Sequence, residues 1–193
     1  MNRICVFCGS NEGSKPAYVE AARRVGSALA RRGIELVYGG GGSGLMGIVA
    51  NTVLAEGGRV TGIIPHGLMV REVAHRGVSE MRVVDSMHER KALMASLSDA
   101  FVSLPGGMGT IEETCEMLTW AQLGIHAKPC AVLNVDGYFD GMLSFFDHAV
   151  REGFIRSEHR ALLVEERDPE TLLDLLTVYE PPRLERWISR EES

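Results

Sequence analysis

The hydrophobic positions along this chain follow two alternating patterns. Short, continuous apolar runs end in glycine, proline or a small polar residue, and a longer stretch with apolar residues at helical spacing follows most of them. Continuous apolarity is typical of a strand that is covered on both faces of its sheet, and the helical spacing is typical of an amphipathic helix. The alternation therefore predicts repeated βαβ units.

The predicted strands lie at residues 4–8, 34–38, 60–64, 81–84, 100–104 and 130–134, and the predicted helices at 17–32, 45–56, 87–97, 111–123, 138–152 and 169–179. A short apolar run at 162–164 precedes the last helix. This order predicts an α/β fold in which a Rossmann-like open parallel sheet forms the middle layer of a three-layer α/β/α sandwich. We predict one domain at residues 1–180 and an exposed C-terminal tail at 181–193.

Composition and charge limit the kinds of molecule that this protein is expected to bind. The chain has 193 residues, of which 45% are hydrophobic and 24% charged, which is ordinary for a soluble globular protein. Its net charge of −6 comes without a basic run, so we expect neither nucleic acid nor a membrane as a partner. The first residues lack the features of a signal peptide and no apolar stretch has membrane-spanning length, so we expect a cytoplasmic protein.

Cys5 and Cys8 have the CxxC spacing of zinc and redox sites. Both fall in a predicted strand, however, and residues three apart on a strand point to opposite faces, so we do not expect this pair to bind a metal. No histidine pair has the HExxH spacing of a zinc protease. We expect reduced, mostly buried cysteines and no metal or other cofactor.

Two loops with glycines follow the first two strands, at the sheet edge where ligands of such folds bind. In CGSNEGSKP, Ser10 offers a hydroxyl to a phosphate. The second loop, YGGGGSGLMG, contains a formal GxGxxG at Gly42, Gly44 and Gly47. Because it follows the second strand, and because the next strand ends in IIPHG without an acidic residue, we exclude NAD; the absence of GK[ST] excludes a P-loop. These glycines let the backbone approach either a ligand or a neighbouring loop.

The third loop and its helix read SLPGGMGTIEET. Glycines at a strand end free the backbone to turn, and the following helix offers unsatisfied N–H donors and a partial positive charge, which together favour a phosphate. We call this anion-binding turn the cradle, and its residues are Gly106, Gly107, Gly109 and Thr110. Glu112 and Glu113 follow at once, but carboxylates also stabilise a first helical turn, so acidity alone does not separate catalysis from helix-end electrostatics.

A cationic candidate comes from the predicted helix at 87–97. Ser86 and Glu89 have the spacing of a capping box, which places the start of this helix at Met87. Arg90 then falls on the apolar stripe, where a guanidinium needs an anionic partner. That partner is either a structural carboxylate, or a catalytic carboxylate together with a ligand phosphate.

A cradle, an inward arginine and a carboxylate just beyond the cradle suit cleavage of the N-glycosidic bond of a nucleotide. The transition state carries positive charge on the sugar, which Glu113 would stabilise while Arg90 and backbone N–H groups hold the 5′-phosphate. Glu116, three residues from Glu113, is a like charge that would raise the pKa of one of the two, although its simpler interpretation is a solvent-facing carboxylate. From its position alone, Lys91 is interpreted as a solvated lysine.

PGGMGTIEE, with MHERKALM upstream, resembles the PGGxGTxxE and RK signatures of the Lonely Guy family, and the resemblance runs from ICVFCGS to LTWAQLGIHAKP. It implies a phosphoribohydrolase that splits cytokinin riboside 5′-monophosphates, and often AMP, into free base and ribose 5-phosphate, with Arg90 and Glu113 as the catalytic pair. It also implies substrate contacts at Glu72, Lys91, Gly107, Met108, Gly109, Thr110, Ile111, Glu112, Glu113 and Thr119. Many members were once labelled lysine decarboxylases, a label that this chain does not support because no lysine has a pyridoxal-type context.

The resemblance further implies a homodimer, with the helix at 111–123 near the interface. Met117 and Trp120 on that helix suit a core and an interface equally well. The alternative function is a non-catalytic carrier of a phosphorylated ligand such as molybdenum cofactor, which needs the cradle but not Arg90 together with Glu113. The presence of both residues favours the enzyme, with a nucleoside 5′-monophosphate as substrate.

Overall fold

The computed structural model describes residues 1–69 and 74–182, and its centre is a seven-stranded sheet. The strands are β1 Arg3–Phe7, β2 Glu35–Tyr38, β3 Val60–Pro65, β4 Glu80–Val84, β5 Ala100–Ser103, β6 Cys130–Leu133 and β7 Leu163–Glu166. Their order is β4-β3-β2-β1-β5-β6-β7, and each neighbouring pair is parallel. The predicted open parallel sheet is confirmed. The run at 162–164, which the sequence analysis did not assign to a strand, supplies the first two residues of edge strand β7, which pairs only with β6 among the described strands.

Helices cover both faces of the sheet, as the continuous apolarity of the strands predicts. They are α1 Pro16–Arg31, α2 Gly44–Ala55, α3 His66–Met69, α4 Met87–Leu97, α5 Met108–Leu123, α6 Asp140–Arg151, α7 Ser157–Arg160 and α8 Pro169–Thr177. One apolar cluster joins α1, α2 and α8 to one face, and two others join α4, α5 and α6 to the opposite face. This is the predicted three-layer sandwich.

The predicted helix boundaries differ from the structure at several ends. The helix predicted from residue 138 begins at Asp140, because a 3-10 turn at Val135–Gly137 comes first. The short helices α3 and α7 were not predicted, since four residues are too few to show a period. The predicted tail lies outside the described residues from position 183 onward, and the predicted division into domain and tail stays a prediction.

The strand order creates a topological switch point beside the central strand β1. The chain runs outward from β1 through β2 and β3 to β4, then returns to the other side of β1 and continues through β5 and β6 to β7. The loops after β1 and β5 therefore leave the sheet in opposite directions and open a crevice, where ligands of such sheets bind. The cradle follows β5 and lies at this crevice.

The cysteines behave as the strand pattern predicts. Cys5 packs in the cluster with α4 and α5, whereas Cys8 packs in the cluster with α1 and α2, so the two lie on opposite faces. All four cysteines are free, and only Cys115 is not buried. Across residues 1–69 and 74–182, no group of three His, Cys, Asp or Glu residues is arranged to hold a metal ion. Over the same ranges, no helix combines the length and apolarity needed to cross a membrane.

Candidate active site

One glycine of the cradle is packed against other protein atoms, and two others have free space where a side chain would be. A Cβ atom on Gly106 would lie 2.1 Å from Thr110 Oγ1 and 2.8 Å from the Gly9 nitrogen, so this turn is packed against the loop after β1. Gly107 is the N-cap of α5 and Gly109 is in its first turn; a Cβ on either would meet no protein atom within 4 Å. The first turn of α5 therefore faces open space at the crevice, where its N–H groups are available to an anion.

A pocket of about 230 Å³ lies between the loops after β1 and β5. Ser10, Asn11, Gly106, Gly107 and Tyr138 are among the residues that line it. Ser10 is therefore beside the cradle, as predicted from its position at the end of the first strand. Gly107, the N-cap of α5, is among the lining residues, so the positive end of the α5 dipole lies at this pocket.

Several glycines of the loop after β2 lie close against other protein atoms. A Cβ on Gly44, which has φ +57°, would lie 2.2 Å from the carbonyl carbon of Ser10, and a Cβ on Gly47 would lie 2.3 Å from the Gly42 oxygen. A Cβ on Gly39 would lie 2.0 Å from Arg90 Nη2. Of the two alternatives that the sequence leaves open, the structure supports approach to a neighbouring loop at Gly44. Contact of Gly42 and Gly44 with substrate stays a prediction.

Arg90 is buried at the carboxyl ends of β2 and β3, as its place on the apolar stripe predicts. Its Nε donates to the Ile63 carbonyl at 3.1 Å and its Nη2 to the Gly39 carbonyl at 3.3 Å. The remaining nitrogen, Nη1, lies 3.5 Å from Glu113 Oε1. Two backbone carbonyls thus orient the guanidinium so that its third nitrogen faces the carboxylate.

The start of α4 fixes the position of Arg90 along the helix. The Glu89 N–H donates to Ser86 Oγ at 3.1 Å, which confirms the predicted cap and the start at Met87. The Glu89 side chain reaches back and accepts from the N–H of Asp85 at 2.9 Å. Arg90 follows in the first turn, so the cap fixes the point from which its side chain leaves the helix.

Glu113 is 9% exposed, and its environment favours the neutral carboxyl form. Burial raises the pKa of Glu113 to about 7, with Arg90 opposing this shift and Glu112 and Glu116 adding to it. The predicted like-charge effect of Glu116 is therefore present but smaller than desolvation. Glu112 is exposed on another side of α5, so the two adjacent carboxylates have different environments.

Lys91 is not the solvated lysine that its position suggested. It is 8% exposed, and its Nζ lies 2.5 Å from Glu112 Oε1 and 3.0 Å from Glu116 Oε1. Glu116, predicted to face solvent, is accordingly only partly exposed. The reason is that α4 and α5 pack side by side on the same face of the sheet, so a residue one step round α4 meets α5 instead of water. The predicted contact of Lys91 with substrate stays a prediction.

The other predicted substrate positions do not all share one surface. Met108 and Ile111 are exposed on the first turn of α5, near the cradle. Thr119 lies farther along α5, in a separate pocket of about 130 Å³ with Leu118 and Phe146, so within this chain it is apart from the cradle. Glu72 lies outside the described residues.

Comparison with known proteins places the chain in a family. A family model described as possible lysine decarboxylase matches residues 46–176. A probable cytokinin riboside 5′-monophosphate phosphoribohydrolase of Oryza sativa subsp. japonica is 52% identical over 92% of this chain and 79% of its own length. A cytokinin riboside 5′-monophosphate phosphoribohydrolase of Arabidopsis thaliana is 52% identical over 93% of this chain and 82% of its own. The chain belongs to the Lonely Guy family.

Solved structures share the fold at lower identity. A molybdenum cofactor carrier protein of Chlamydomonas reinhardtii has a TM-score of 0.69 at 19% identity and covers 91% of this chain and 95% of its own. A molybdenum cofactor binding protein of Rippkaea orientalis has a TM-score of 0.68 at 22% identity, with the same coverage of both chains. These likenesses confirm the Rossmann-like α/β fold of this Lonely Guy protein.

Tyr138 is a site residue that the sequence analysis missed. Its hydroxyl donates to the Gly106 carbonyl of the cradle at 2.5 Å, across 32 residues of sequence. The sequence carries no periodic signal for it, because it lies at the predicted start of a helix and a tyrosine there is unremarkable. Only the parallel order of β5 and β6, which brings their carboxyl ends together, could have pointed to it.

Proposed function

We propose that this protein is a phosphoribohydrolase that cleaves the N-glycosidic bond of cytokinin riboside 5′-monophosphates, and of AMP, to give the free base and ribose 5-phosphate. The single observation that carries the proposal is the buried pair of Arg90 Nη1 and Glu113 Oε1, 3.5 Å apart, directly beyond an open glycine cradle. Relatives that bear this activity in their names, at 52% identity over most of the chain, support it.

The cradle would bind the 5′-phosphate of the substrate. Ser10 and Gly107, the N-cap of α5, line the pocket between the loops after β1 and β5, and the N–H groups of the first turn of α5 follow directly. A dianion there gains charge-assisted hydrogen bonds and the favourable end of the helix dipole. The phosphate would fix the sugar relative to the helix, so that the glycosidic carbon lies near the residue one turn further along.

Glu113 would supply the chemistry. Departure of the base leaves positive charge on the sugar, and a carboxylate held beside it stabilises that charge and accepts a proton from the attacking water. The pKa of Glu113, raised by burial to about 7, suits a group that must be ionised to act and yet basic enough to take a proton. Arg90 would orient this carboxylate and favour its ionised form.

A homodimer and a cytoplasmic location belong to the same proposal, as does the absence of nucleic acid and membrane partners. Support for a dimer comes from large apolar side chains left exposed near the cradle and beside α6: Met108, 83% exposed; Phe145, 63%; and Phe154, 88%. The net charge of −6 supports the exclusion of nucleic acid. Light scattering of the purified protein tests the dimer.

Product analysis tests the reaction. Purified protein is incubated in parallel with AMP, isopentenyladenosine 5′-monophosphate and adenosine, and free base and ribose 5-phosphate are measured. We expect both nucleotides to be cleaved and adenosine to be left almost intact, because it lacks the phosphate that the cradle binds. Equal turnover of adenosine and AMP would refute phosphate recognition. Tight binding of a phosphorylated ligand without any cleavage would favour the alternative, a carrier of a phosphorylated ligand such as molybdenum cofactor.

A further inference from the structure

The turn between β6 and α6, residues 134–139, contacts both loops that border the candidate phosphate pocket. Asp136 Oδ2 lies 2.5 Å from the Nζ of Lys15, at the end of the loop after β1. Two residues later, the Tyr138 hydroxyl donates to the Gly106 carbonyl, in the loop after β5, at 2.5 Å. This turn therefore bridges the two walls of the crevice, although none of its residues is in a known motif of the sequence.

The turn is built to hold Tyr138 in one place. Asp136, with φ 52°, is the one residue other than glycine in the described ranges 1–69 and 74–182 that has a positive φ. Aspartate tolerates this conformation better than most residues other than glycine, and it lets the chain turn sharply before Tyr138. Asn134 Oδ1 accepts from the N–H of Phe139 at 2.8 Å, and Phe139 is almost fully buried, so the residue after Tyr138 is anchored.

Aromatic contacts fix the ring of Tyr138 itself. Its ring meets that of Tyr18 edge-on, with centroids 5.6 Å apart and an interplanar angle of 77°. It meets the ring of Phe139 in the same manner at 5.1 Å and 89°. Tyr138 is 40% exposed, and these two ring contacts orient its hydroxyl toward the Gly106 carbonyl.

The hydrogen bond acts on the carbonyl of the peptide group that joins Gly106 to Gly107. Gly106 and Gly107 both lack a side chain, so the peptide between them has more accessible orientations than any other residue pair would allow. In a trans peptide, the C=O and N–H groups point in opposite directions. Anchoring the Gly106 carbonyl to Tyr138 therefore sets the direction of the Gly107 N–H, which belongs to the N-cap of α5.

We propose that Tyr138 is a positioning residue for phosphate binding, whose hydroxyl holds the Gly106–Gly107 peptide in the orientation that the cradle needs. This inference rests on the proposed function for the identity of the ligand. It assigns Tyr138 no contact with the reacting atoms. Its effect is therefore expected on the affinity for the phosphate and not on the chemical step.

The test is Tyr138→Phe, which removes one oxygen and keeps the aromatic contacts. We expect the Kd for ribose 5-phosphate, measured by calorimetry, to rise about tenfold, the effect of losing one hydrogen bond that orders a binding group. KM for AMP should rise by a similar factor, whereas kcat should change less than about twofold. Amide hydrogen exchange in the ligand-free protein should accelerate at residues 104–109 and remain unchanged in the central strands.

Asp136→Asn is the matched control on the same turn. It removes the ion pair with Lys15 but keeps the residue type that tolerates positive φ, and both partners are half-exposed, so the pair contributes little. We expect ribose 5-phosphate affinity within about twofold of the parent. An equal loss in Asp136→Asn and Tyr138→Phe would show that the turn matters only for folding and would overturn the assignment to the hydroxyl.

Other outcomes separate this inference from the proposed function. If Tyr138→Phe binds ribose 5-phosphate as the parent does, the inference is wrong whatever happens to exchange rates. If the parent binds ribose 5-phosphate but does not cleave AMP, the proposed function fails, and the affinity comparison still decides the role of Tyr138. If the parent does not bind ribose 5-phosphate, a phosphate-positioning role for Tyr138 is excluded.

Discussion

Two glycine-rich loops at the same edge of the sheet differ in what surrounds their glycines. In the loop after β2, a Cβ on Gly39 or Gly44 would collide with protein atoms at 2.0 and 2.2 Å. In the cradle after β5, a Cβ on Gly107 or Gly109 would meet no protein atom within 4 Å. Gly39 and Gly44 make room for the protein itself, whereas Gly107 and Gly109 border space that the protein leaves open.

A run of glycines in a sequence therefore indicates that other atoms come close to the backbone. It does not indicate whether those atoms belong to the protein or to a ligand. The loop after β2 lets the guanidinium of Arg90 and the backbone of the neighbouring loop come close, so it contributes to the candidate site by shaping it. The cradle leads directly into α5 and Glu113 and faces open space. One loop therefore positions the cation, and the other presents the carboxylate and, in the proposed function, binds the anion.

The largest effect is expected at the carboxylate that the open loop presents. Glu113→Gln keeps the shape and removes the charge, so kcat on AMP should fall at least about 100-fold, since a preorganised electrostatic contact supplies several kcal/mol. Nucleotide binding should persist, because the cradle is untouched. Steady-state kinetics and calorimetry measure the two quantities.

Glu112→Gln is the control, because Glu112 is adjacent, exposed and equally close to the helix end. A much milder loss there would show that position and not acidity matters. Should Glu113→Gln retain activity within a few-fold of the parent, on AMP and on isopentenyladenosine 5′-monophosphate alike, Glu113 would be no more than a helix-end carboxylate.

Replacing one glycine by alanine in each loop tests whether the two loops differ in their surroundings. Gly44→Ala should lower the free energy of unfolding by about 2 kcal/mol, because it forces a side chain into a left-handed conformation and against the Ser10 backbone. Gly109→Ala should raise that free energy by about 0.5 kcal/mol, since alanine is the better helix former and its Cβ has room. Gly109→Ala should nevertheless weaken ribose 5-phosphate binding. Urea unfolding and calorimetry measure both, and the same sign of stability change at the two positions would contradict the comparison.

A smaller effect is expected where the closed loop meets Arg90. Gly39→Ala puts a Cβ 2.0 Å from Nη2, the far end of a flexible side chain, so the guanidinium should move while the fold is kept. We expect kcat/KM on AMP to fall about tenfold with little change in stability. In an Arg90→Ala background the same substitution should have no further effect. Additive losses in the double mutant would mean that Gly39 does not act through Arg90.

The fold was predictable because its signal is local and repeated. Six of the seven strands and the longer helices follow from apolar runs and helical spacing, which two-sided burial of a parallel sheet imposes on the sequence. β7 was not assigned to a strand because Glu165 and Glu166 at its end interrupt the apolar run, as an edge strand permits. Helix ends moved by a few residues where a 3-10 turn or a glycine N-cap set the boundary.

A site residue could be predicted only where the sequence pattern of a single helix or loop indicates its role. Arg90 follows from the periodicity of a single helix, and the cradle from a single loop. Lys91 was misinterpreted because its partners, Glu112 and Glu116, lie on another helix, and no pattern within α4 records which neighbour it faces. Tyr138 was missed for the same reason, since its partner Gly106 is in a different loop.

The smallest effect tests the burial of Glu113 through stability alone. The pKa of this carboxyl is about 7 in the folded chain, against about 4.3 for an unfolded glutamate. Between these values the folded state binds more protons than the unfolded state, so the free energy of unfolding falls as pH rises through this window, by up to about 1.4 kcal/mol per pH unit. Glu113→Gln has no carboxyl group to titrate at this position. The other titrating groups are the same in both proteins, so their contributions largely cancel when the two free energies of unfolding are compared. Urea unfolding of both at about pH 5, 6, 7 and 8 should therefore show the parent losing stability relative to the variant up to about pH 7 and running parallel above it. Curves that stay parallel throughout would mean that solvent or Arg90 keeps Glu113 ionised at every pH, and that the crevice is wetter than its packing indicates.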